Sequence, residues 1–305
     1  MSMQSSAMPD SPLNSQVAAR MSMSAVQPFL WSVRRELMEY RSLYIVPLAV
    51  AVIFVLAFTS HEIALRYRMP ALHDAAVLRT DFEDNFMMAS GFMMIVSMIV
   101  GTFYSLDALY GERRDRSILF WKSMPVSDLT TVLSKAIIPV VVLQLIAWAG
   151  TITLWAFMLA LSRIVWSGTG ISTMGLWSNL PFFPLALLLF YHLLFLHGLW
   201  HAPFYAWMLM VSSWARRAPI LWAILPPAAI GVVERVAFSS SDFTNLLLDH
   251  LMGSPGSAPQ EHGLMGMLGH FEPGTFLTPA LWIGLALTAL FLAAAVRLRR
   301  NRGPI

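Results

Sequence analysis

Three histidines lie inside one long uncharged stretch of the sequence, and their side chains are the ones best suited to chemistry. The stretch covers residues 179–213 and contains His192, His197 and His201. His197 and His201 are four residues apart, so they share one face of a helix. Imidazole is a common metal ligand, and polar groups inside a membrane are functional candidates. A membrane-embedded metal or haem enzyme using these histidines is therefore one hypothesis.

The neighbouring sequence favours another use of the same histidines. The stretch contains no acidic residue, and the H-E-x-x-H zinc motif is missing from the whole sequence. We therefore expect no metal site and no catalytic residues, and we place His197 and His201 at a helix interface, lining a substrate path.

An adjacent acid and base, Glu234 and Arg235, end a later apolar run. Such a pair near a membrane surface could gate a path or contact a polar headgroup, or it could simply terminate the run. Neighbours in sequence do not share a helix face, so we expect each to have another partner. Together with His197 and His201, these two residues form our candidate substrate path.

The composition excludes a soluble domain. The chain has 305 residues, of which 57% are apolar and 12% charged, whereas soluble domains carry about 25% charged residues. A pI near 9.4 could suggest nucleic acid, but the basic residues cluster at the ends of apolar runs, so no nucleic-acid partner is expected. The solvent for this surface is predicted to be a lipid bilayer.

Six uncharged windows are long enough to cross a membrane, which requires about 20 residues of helix. The predicted fold is all-α: a polytopic membrane protein with six transmembrane helices. The third window should kink near Pro139. The fourth should bend near Pro203, and the fifth could be broken at Pro226 and Pro227. The windows are 43–60, 86–106, 136–162, 179–213, 218–233 and 276–296.

The distribution of Lys and Arg predicts the orientation, because cytoplasmic segments carry the excess of these residues. With the N-terminus inside, fifteen of the 20 fall in the inner segments 1–42, 107–135, 214–217 and 297–305. Both termini are therefore expected in the cytoplasm. Residues 1–24 lack the features of a signal peptide and are expected to form a disordered cytoplasmic tail.

An amphipathic helix is predicted just before the first span. It should lie in the inner headgroup region, although it could also be a plain cytoplasmic extension of span one. We therefore divide the chain into the tail 1–24, a transmembrane domain 25–300 and a short cytoplasmic tail 301–305. The apolar residues that repeat at helical spacing are Val26, Phe29, Leu30, Val33 and Leu37.

The loop between spans two and three, residues 110–135, carries alternating charge followed by an apolar patch. The run Glu112–Arg116 suits a helical extension into water, and Phe120 and Trp121 lie outside any span. Pro125 disfavours helix before it, and Ser127 or Asp128 can cap the next helix. Asp107 is expected to pair with Lys135. Exposed aromatics flanked by Arg favour a protein interface, but Trp is also common at headgroup level.

This loop resembles the first cytoplasmic loop of type-2 permeases of bacterial ATP-binding-cassette exporters. In that family a charged E-R stretch after span two leads through small and apolar residues and an S-x-P-x-S segment to a Lys at span three. The layout resembles the family over about 26–300, and the motif over about 110–135. The matching residues are Glu112-Arg113, Ser117-Ile118-Leu119, Ser123-Met124-Pro125-Val126-Ser127 and Lys135.

The resemblance implies that the chain is a permease subunit in a bacterial inner membrane and that its loop is a coupling helix docked on a separate ATPase. Two permeases, as a homodimer or a pair, would form the path between them. The chain contains no G-x-x-x-x-G-K-[ST] motif, so ATP would be bound by the partner and no cofactor by this chain. A membrane scaffold that recruits a partner without transport is a third hypothesis. The implied contact residues are Glu112, Arg113, Arg114, Ile118, Phe120 and Trp121.

Overall fold

The structure is a computed structural model that describes residues 26–68, 75–124, 126–168, 182–252 and 278–305. Regular structure in these ranges is entirely helical, which confirms the all-α prediction. The helices are α1 Val26–Glu39, α2 Ser42–Arg68, α3 Ala75–Asp107, α4 Tyr110–Arg114, α5 Ile118–Ser123, α6 Asp128–Ile137, α7 Leu143–Val165, α8 Phe182–Tyr191, α9 Ala202–Trp214, α10 Pro219–Phe238, α11 Asp242–Met252 and α12 Pro279–Asn301. Two π-helical segments, π1 Ile138–Val142 and π2 His192–Leu199, interrupt this series.

Six helical stretches are long and apolar enough to cross a membrane, as predicted. We number them as spans one to six. Most are longer than the predicted windows, because the helices continue through charged residues past the hydrocarbon. Between spans one and two, residues 61–68 and 75–85 are also helical. The spans are Ser42–Tyr67, Thr80–Arg114, Asp128–Val165, Phe182–Leu199, Pro219–Phe238 and Pro279–Asn301.

The prolines within the spans affect helix geometry to different degrees. Pro139 lies in π1, near the predicted kink of span three. The helix of span four is interrupted at His201, and Pro203 occupies the first turn of α9, which tolerates a residue without an amide hydrogen. Pro226 and Pro227 lie inside α10, which remains one helix of 20 residues. The predicted break of span five is therefore not observed.

The interior of the bundle is apolar and aromatic. At one level Phe86 stacks on Trp155 with ring centroids 5.4 Å apart, within a buried cluster formed by spans one to four. A second buried cluster, which includes Leu43, Tyr104, Val132 and Leu209, lies near the loop between spans two and three. This second cluster supports the end of the bundle at which the candidate loop lies.

Helices α10 and α11 form a hairpin that folds back onto the bundle. Helix α11 covers Asp242–Met252. Its last residues reach span four, where the indole of Trp200 donates to the carbonyl of His250 at 2.8 Å. The tail 1–24, Pro125 and the whole 253–275 segment lie outside the residues that the structure describes.

Candidate docking loop and its buried charge cluster

The loop between spans two and three folds into two short helices and a capped start of span three. Helix α4 ends at Arg114, and Arg116 then takes a left-handed backbone conformation with φ of 59°. This residue turns the chain into α5. The predicted cap is confirmed: the Ser127 hydroxyl accepts a hydrogen bond from the Thr130 amide at 3.0 Å.

Helix α5 buries one side and exposes another. Ile118 is 1% exposed and packs inward, whereas Leu119 and Phe120 are 59% and 58% exposed. Trp121 is half-buried, because the guanidinium of Arg35 lies 3.9 Å from its ring centroid. The helix therefore presents two large apolar side chains outward from a fixed base.

The base of the loop is a cluster of six ionised side chains from four helices, which we call the charge cluster. Lys135 Nζ lies 2.8 Å from Glu36 Oε1 and 3.2 Å from Glu112 Oε1. Arg299 contacts the other oxygen of Glu112 at 3.1 Å, and it also pairs with Asp128. The six members are Arg35 and Glu36 of α1, Glu112 of α4, Asp128 and Lys135 of α6, and Arg299 of α12.

The charge cluster has equal numbers of acidic and basic side chains and is largely buried. It contains three acids and three bases, and Glu36, Glu112, Lys135 and Arg299 are all under 5% exposed. A buried pair need not stabilise a fold, but removing one partner costs about 3–5 kcal/mol because it leaves an uncompensated charge. The cluster therefore holds α1, the loop, span three and span six in one arrangement.

Tyrosines complete the surroundings of the charge cluster. The Tyr104 hydroxyl donates to Glu36 Oε2 at 2.9 Å, and the Tyr40 hydroxyl donates to Asp107 at 3.3 Å. Burial and the nearby Asp107 carboxylate raise the pKa of Tyr40 above its ordinary value. Tyr40 therefore stays neutral and remains a hydrogen-bond donor.

The same charges shift the pKa values of two partly exposed residues of α1, Arg35 and Glu39. Burial and the negative charge of Glu36 raise the pKa of Glu39. Burial lowers the pKa of Arg35, but the carboxylates of Glu36 and Glu112 outweigh that effect and raise it overall. Arg35 therefore remains a cation over Trp121.

Residues after span six fasten the other side of the loop. Arg113 donates to the carbonyls of Ser213 and Ala215 at 2.9 and 3.0 Å. The Ile305 amide in turn donates to the carbonyl of Arg113 at 3.2 Å. Lys122 donates to the carbonyls of residues 300 and 302 at 3.3 and 3.2 Å. The loop is thus held on one side by α1 and on the other by residues 300–305.

Because of these contacts, only some of the residues expected to touch a partner are exposed. Glu112, Arg113 and Ile118 do not present a surface, because the first two are each 4% exposed and the third is 1% exposed. Their side chains are used within the chain. Phe120 is exposed, Trp121 is partly so, and the side chain of Arg114 is 53% exposed.

The expected pair of Asp107 and Lys135 was wrong. Lys135 turns instead to Glu36 and Glu112, and Asp107 lies near Arg114 at 3.7 Å. Sequence reasoning had missed Glu36 and Arg299. A signal existed for Glu36, since a carboxylate between Val33 and Leu37 on the inward side of α1 requires a buried cation.

His197 and His201 lie together, and the ring nitrogens of His201 are both occupied. The rings of His197 and His201 lie 4.6 Å apart. Nδ1 of His201 lies 2.8 Å from the His197 carbonyl and Nε2 lies 3.1 Å from the Leu251 carbonyl. Both nitrogens of His201 thus face hydrogen-bond acceptors, whereas a metal ligand needs a free lone pair. Among the described residues no group of three or more His, Asp or Glu could hold a metal ion.

Glu234 caps the start of α11. Its Oε1 accepts hydrogen bonds from the Phe243 amide at 2.9 Å and from the Ser240 hydroxyl at 2.8 Å. Helix α10 continues past Glu234 and Arg235 to Phe238, so this pair does not end span five. The structure does not bring Glu234 and Arg235 together with His197 and His201 through any recorded contact in the described residues.

Comparison with known proteins adds no relative. No family model, no curated protein and no solved structure matches this chain.

Proposed function

We propose that this chain is the membrane-spanning permease subunit of an ATP-driven exporter in the bacterial inner membrane, working with a separate cytoplasmic ATPase. One observation carries the proposal: α5 projects Leu119 and Phe120 from a base fixed by the charge cluster. Exposed apolar side chains on a rigid support suit a protein interface that must transmit movement. The family resemblance of the same loop supports this function.

The position of α1 is part of the same proposal. Leu30, Trp31 and Met38 are exposed and share the outer side of α1 with Arg34. Apolar and aromatic side chains beside a long basic one suit the boundary between headgroups and acyl chains. We infer that α1 is an interfacial amphipathic helix on the cytoplasmic surface, clamped to the loop through Glu36.

The orientation and the pairing of permeases are also inferred. Contacts gather α1, the loop, residues 213–215 and the last residues at one end of the bundle, the end that holds the basic excess. This end is proposed to face the cytoplasm. Only 6% of the apolar window of span five is buried inside the bundle. The rest leaves a surface for lipid or for a second permease.

Co-purification tests the proposal. The chain, tagged at its N-terminus because its last residues contact the loop, is isolated from its native membranes in mild detergent. We expect an ATP-hydrolysing chain with a G-x-x-x-x-G-K-[ST] motif to accompany it. Replacing Leu119 and Phe120 together by Ala should reduce that chain about tenfold or more, since buried aromatic anchors dominate such interfaces.

The matched control removes equally exposed side chains from the lipid-facing side of span two. Ile99 and Phe103 are 50% and 60% exposed, and their double replacement by Ala should leave co-purification unchanged. Loss in both variants, or in neither, would refute docking through α5. An ATPase that binds but whose turnover never responds to any solute would indicate a scaffold.

A metal or haem enzyme is not favoured by the described geometry, because both nitrogens of His201 face carbonyl oxygens. Metal analysis of the purified chain tests it directly. A stoichiometric metal that disappears when His197 and His201 are both replaced by Ala would restore that hypothesis.

A further inference from the structure

Two π-helical segments pack against each other inside the bundle. Segment π1 belongs to span three and π2 to span four, and they meet at Gly198. A Cβ placed on Gly198 would lie 2.4 Å from the carbonyl oxygen of Val140, so only glycine permits this approach. Single-turn π segments in α-helices are frequent at functional sites.

Directly beside this contact, Gln144 has a side-chain oxygen without a partner. Gln144 is 1% exposed, and its Nε2 donates to the carbonyl of Pro139 at 3.0 Å. That bond fixes which end of the amide is the nitrogen, since a carbonyl can only accept. The atom left without a hydrogen bond is therefore the acceptor Oε1.

A second unpartnered group lies next to Gln144. Tyr205 of α9 is also 1% exposed. Its hydroxyl lies beside the Gln144 side chain, but no hydrogen bond of normal geometry reaches it. The tyrosine ring is held against span two, because a Cβ on Gly101 would lie 2.9 Å from Tyr205 Cε1. The two polar groups thus meet where spans two and three cross α9.

The chemistry of these two groups specifies what they could bind. Gln144 Oε1 needs a donor, and the Tyr205 hydroxyl can donate or accept. The neighbours at Gly101 are Pro139 and Leu143, which offer no charge to balance an ion. Unpartnered polar groups in a membrane interior cost stability and are functional candidates.

We propose that Gln144 and Tyr205 form a binding site for one neutral group that both donates and accepts hydrogen bonds, supplied either by water or by the hydroxyl or amide of a solute. This site does not depend on the ATPase. Its failure would leave the docking proposal intact, and failure of docking would leave the site intact.

The chain contains no cysteine, so a single introduced thiol reports on the site. Tyr205→Cys in membrane vesicles is treated with a small, water-soluble methanethiosulfonate. Leu209→Cys is the matched control, because Leu209 lies one turn along the same helix, is 0% exposed and belongs to an apolar cluster. It also opens a space, but apolar cavities stay dry.

We expect Tyr205→Cys to react about tenfold faster than Leu209→Cys or more, since the reactive thiolate forms only where polar groups reach it. Glycerol and urea, as hydroxyl and amide probes, identify the source. If either slows the reaction, a solute group occupies the site; if neither does, water does. Equal rates for the two thiols would overturn the proposal.

Thermal unfolding of Tyr205→Phe in detergent provides an independent readout. If a bound group satisfies the hydroxyl, its removal lowers the unfolding temperature by a few degrees, and Gln144→Met gives a loss that is not additive with it. If the hydroxyl is simply unpartnered, its removal raises the unfolding temperature. A rise would contradict the site whatever the thiol reactivity.

Discussion

Glu36 places a carboxylate on the side of α1 whose neighbours Val33 and Leu37 pack against the bundle. Burial there is tolerated because both carboxylate oxygens are occupied: Oε1 by Lys135 and Arg35, and Oε2 by Tyr104. Glu112 is satisfied in the same way by Arg35, Lys135 and Arg299. At the scale of single residues, the loop is positioned by buried charged side chains that pair with one another.

Removing Lys135 should therefore be costly. Lys135→Met leaves two buried carboxylates short of a cation, and we expect a loss of about 3–5 kcal/mol in the free energy of unfolding. Chemical denaturation in detergent measures it. Adding Glu36→Gln to the same chain should recover part of the loss. Lys122→Met, which removes an exposed ammonium, is the control, and an equal effect of both lysine changes would contradict the role of the cluster.

Sequence reasoning went as far as local patterns allow at the residue scale. The Ser127 cap was predictable because capping depends on residues three apart in sequence. The pairing of Glu36 with Lys135 was not, because these residues are 99 positions apart and meet only through packing of α1 against α6. The wrong pair of Asp107 with Lys135 arose from treating nearness to the span ends as nearness in space.

At the scale of elements, the irregular parts of spans three and four approach each other closely. Segment π1 starts near Pro139, and Gly198 in π2 lies against the Val140 carbonyl. The six spans were predictable because long uncharged runs require lipid. The π segments were not, since no local pattern distinguishes them from α-helix and only the Pro139 kink was expected.

Gly198→Ala tests the close approach. Its Cβ would meet backbone, which cannot move aside as a side chain could, so we expect the unfolding temperature to fall by several degrees. Gly150→Ala, in span three, is the matched control. No atom lies within 4 Å of its added Cβ, and Gly→Ala in a helix interior should be neutral or stabilising. Similar behaviour of the two variants would contradict the observed packing of π1 on π2.

For the whole molecule, the contacts sort the connecting segments between two ends of the bundle. One end gathers α1, the loop, residues 213–215 and residues 300–305. The other joins the far ends of spans one, two and three, where the indole of Trp166 donates to Glu62 and His61 contacts Asp81. This division matches the alternation expected of six spans, and the basic excess assigns the loop end to the cytoplasm.

The assignment of sides can be checked with introduced thiols. Arg116 and Ser167 are both exposed and lie at opposite ends of the bundle. In intact spheroplasts a membrane-impermeant maleimide should label Ser167→Cys and leave Arg116→Cys unlabelled, and inverted vesicles should give the reverse. Labelling of Arg116→Cys from outside would place the loop on the wrong side for a cytoplasmic ATPase.

The most direct measurement of the central claim is site-specific photocrosslinking from the tip of α5 in native membranes. A photoreactive phenylalanine at position 120 should crosslink to an ATP-binding subunit, and mass spectrometry of the product should identify the phosphate-binding motif that this chain lacks. The same residue at position 103, on the exposed side of span two, should crosslink to lipid or to another permease. If position 120 yields only lipid adducts while the purified chain retains an associated ATPase, coupling through this loop is wrong.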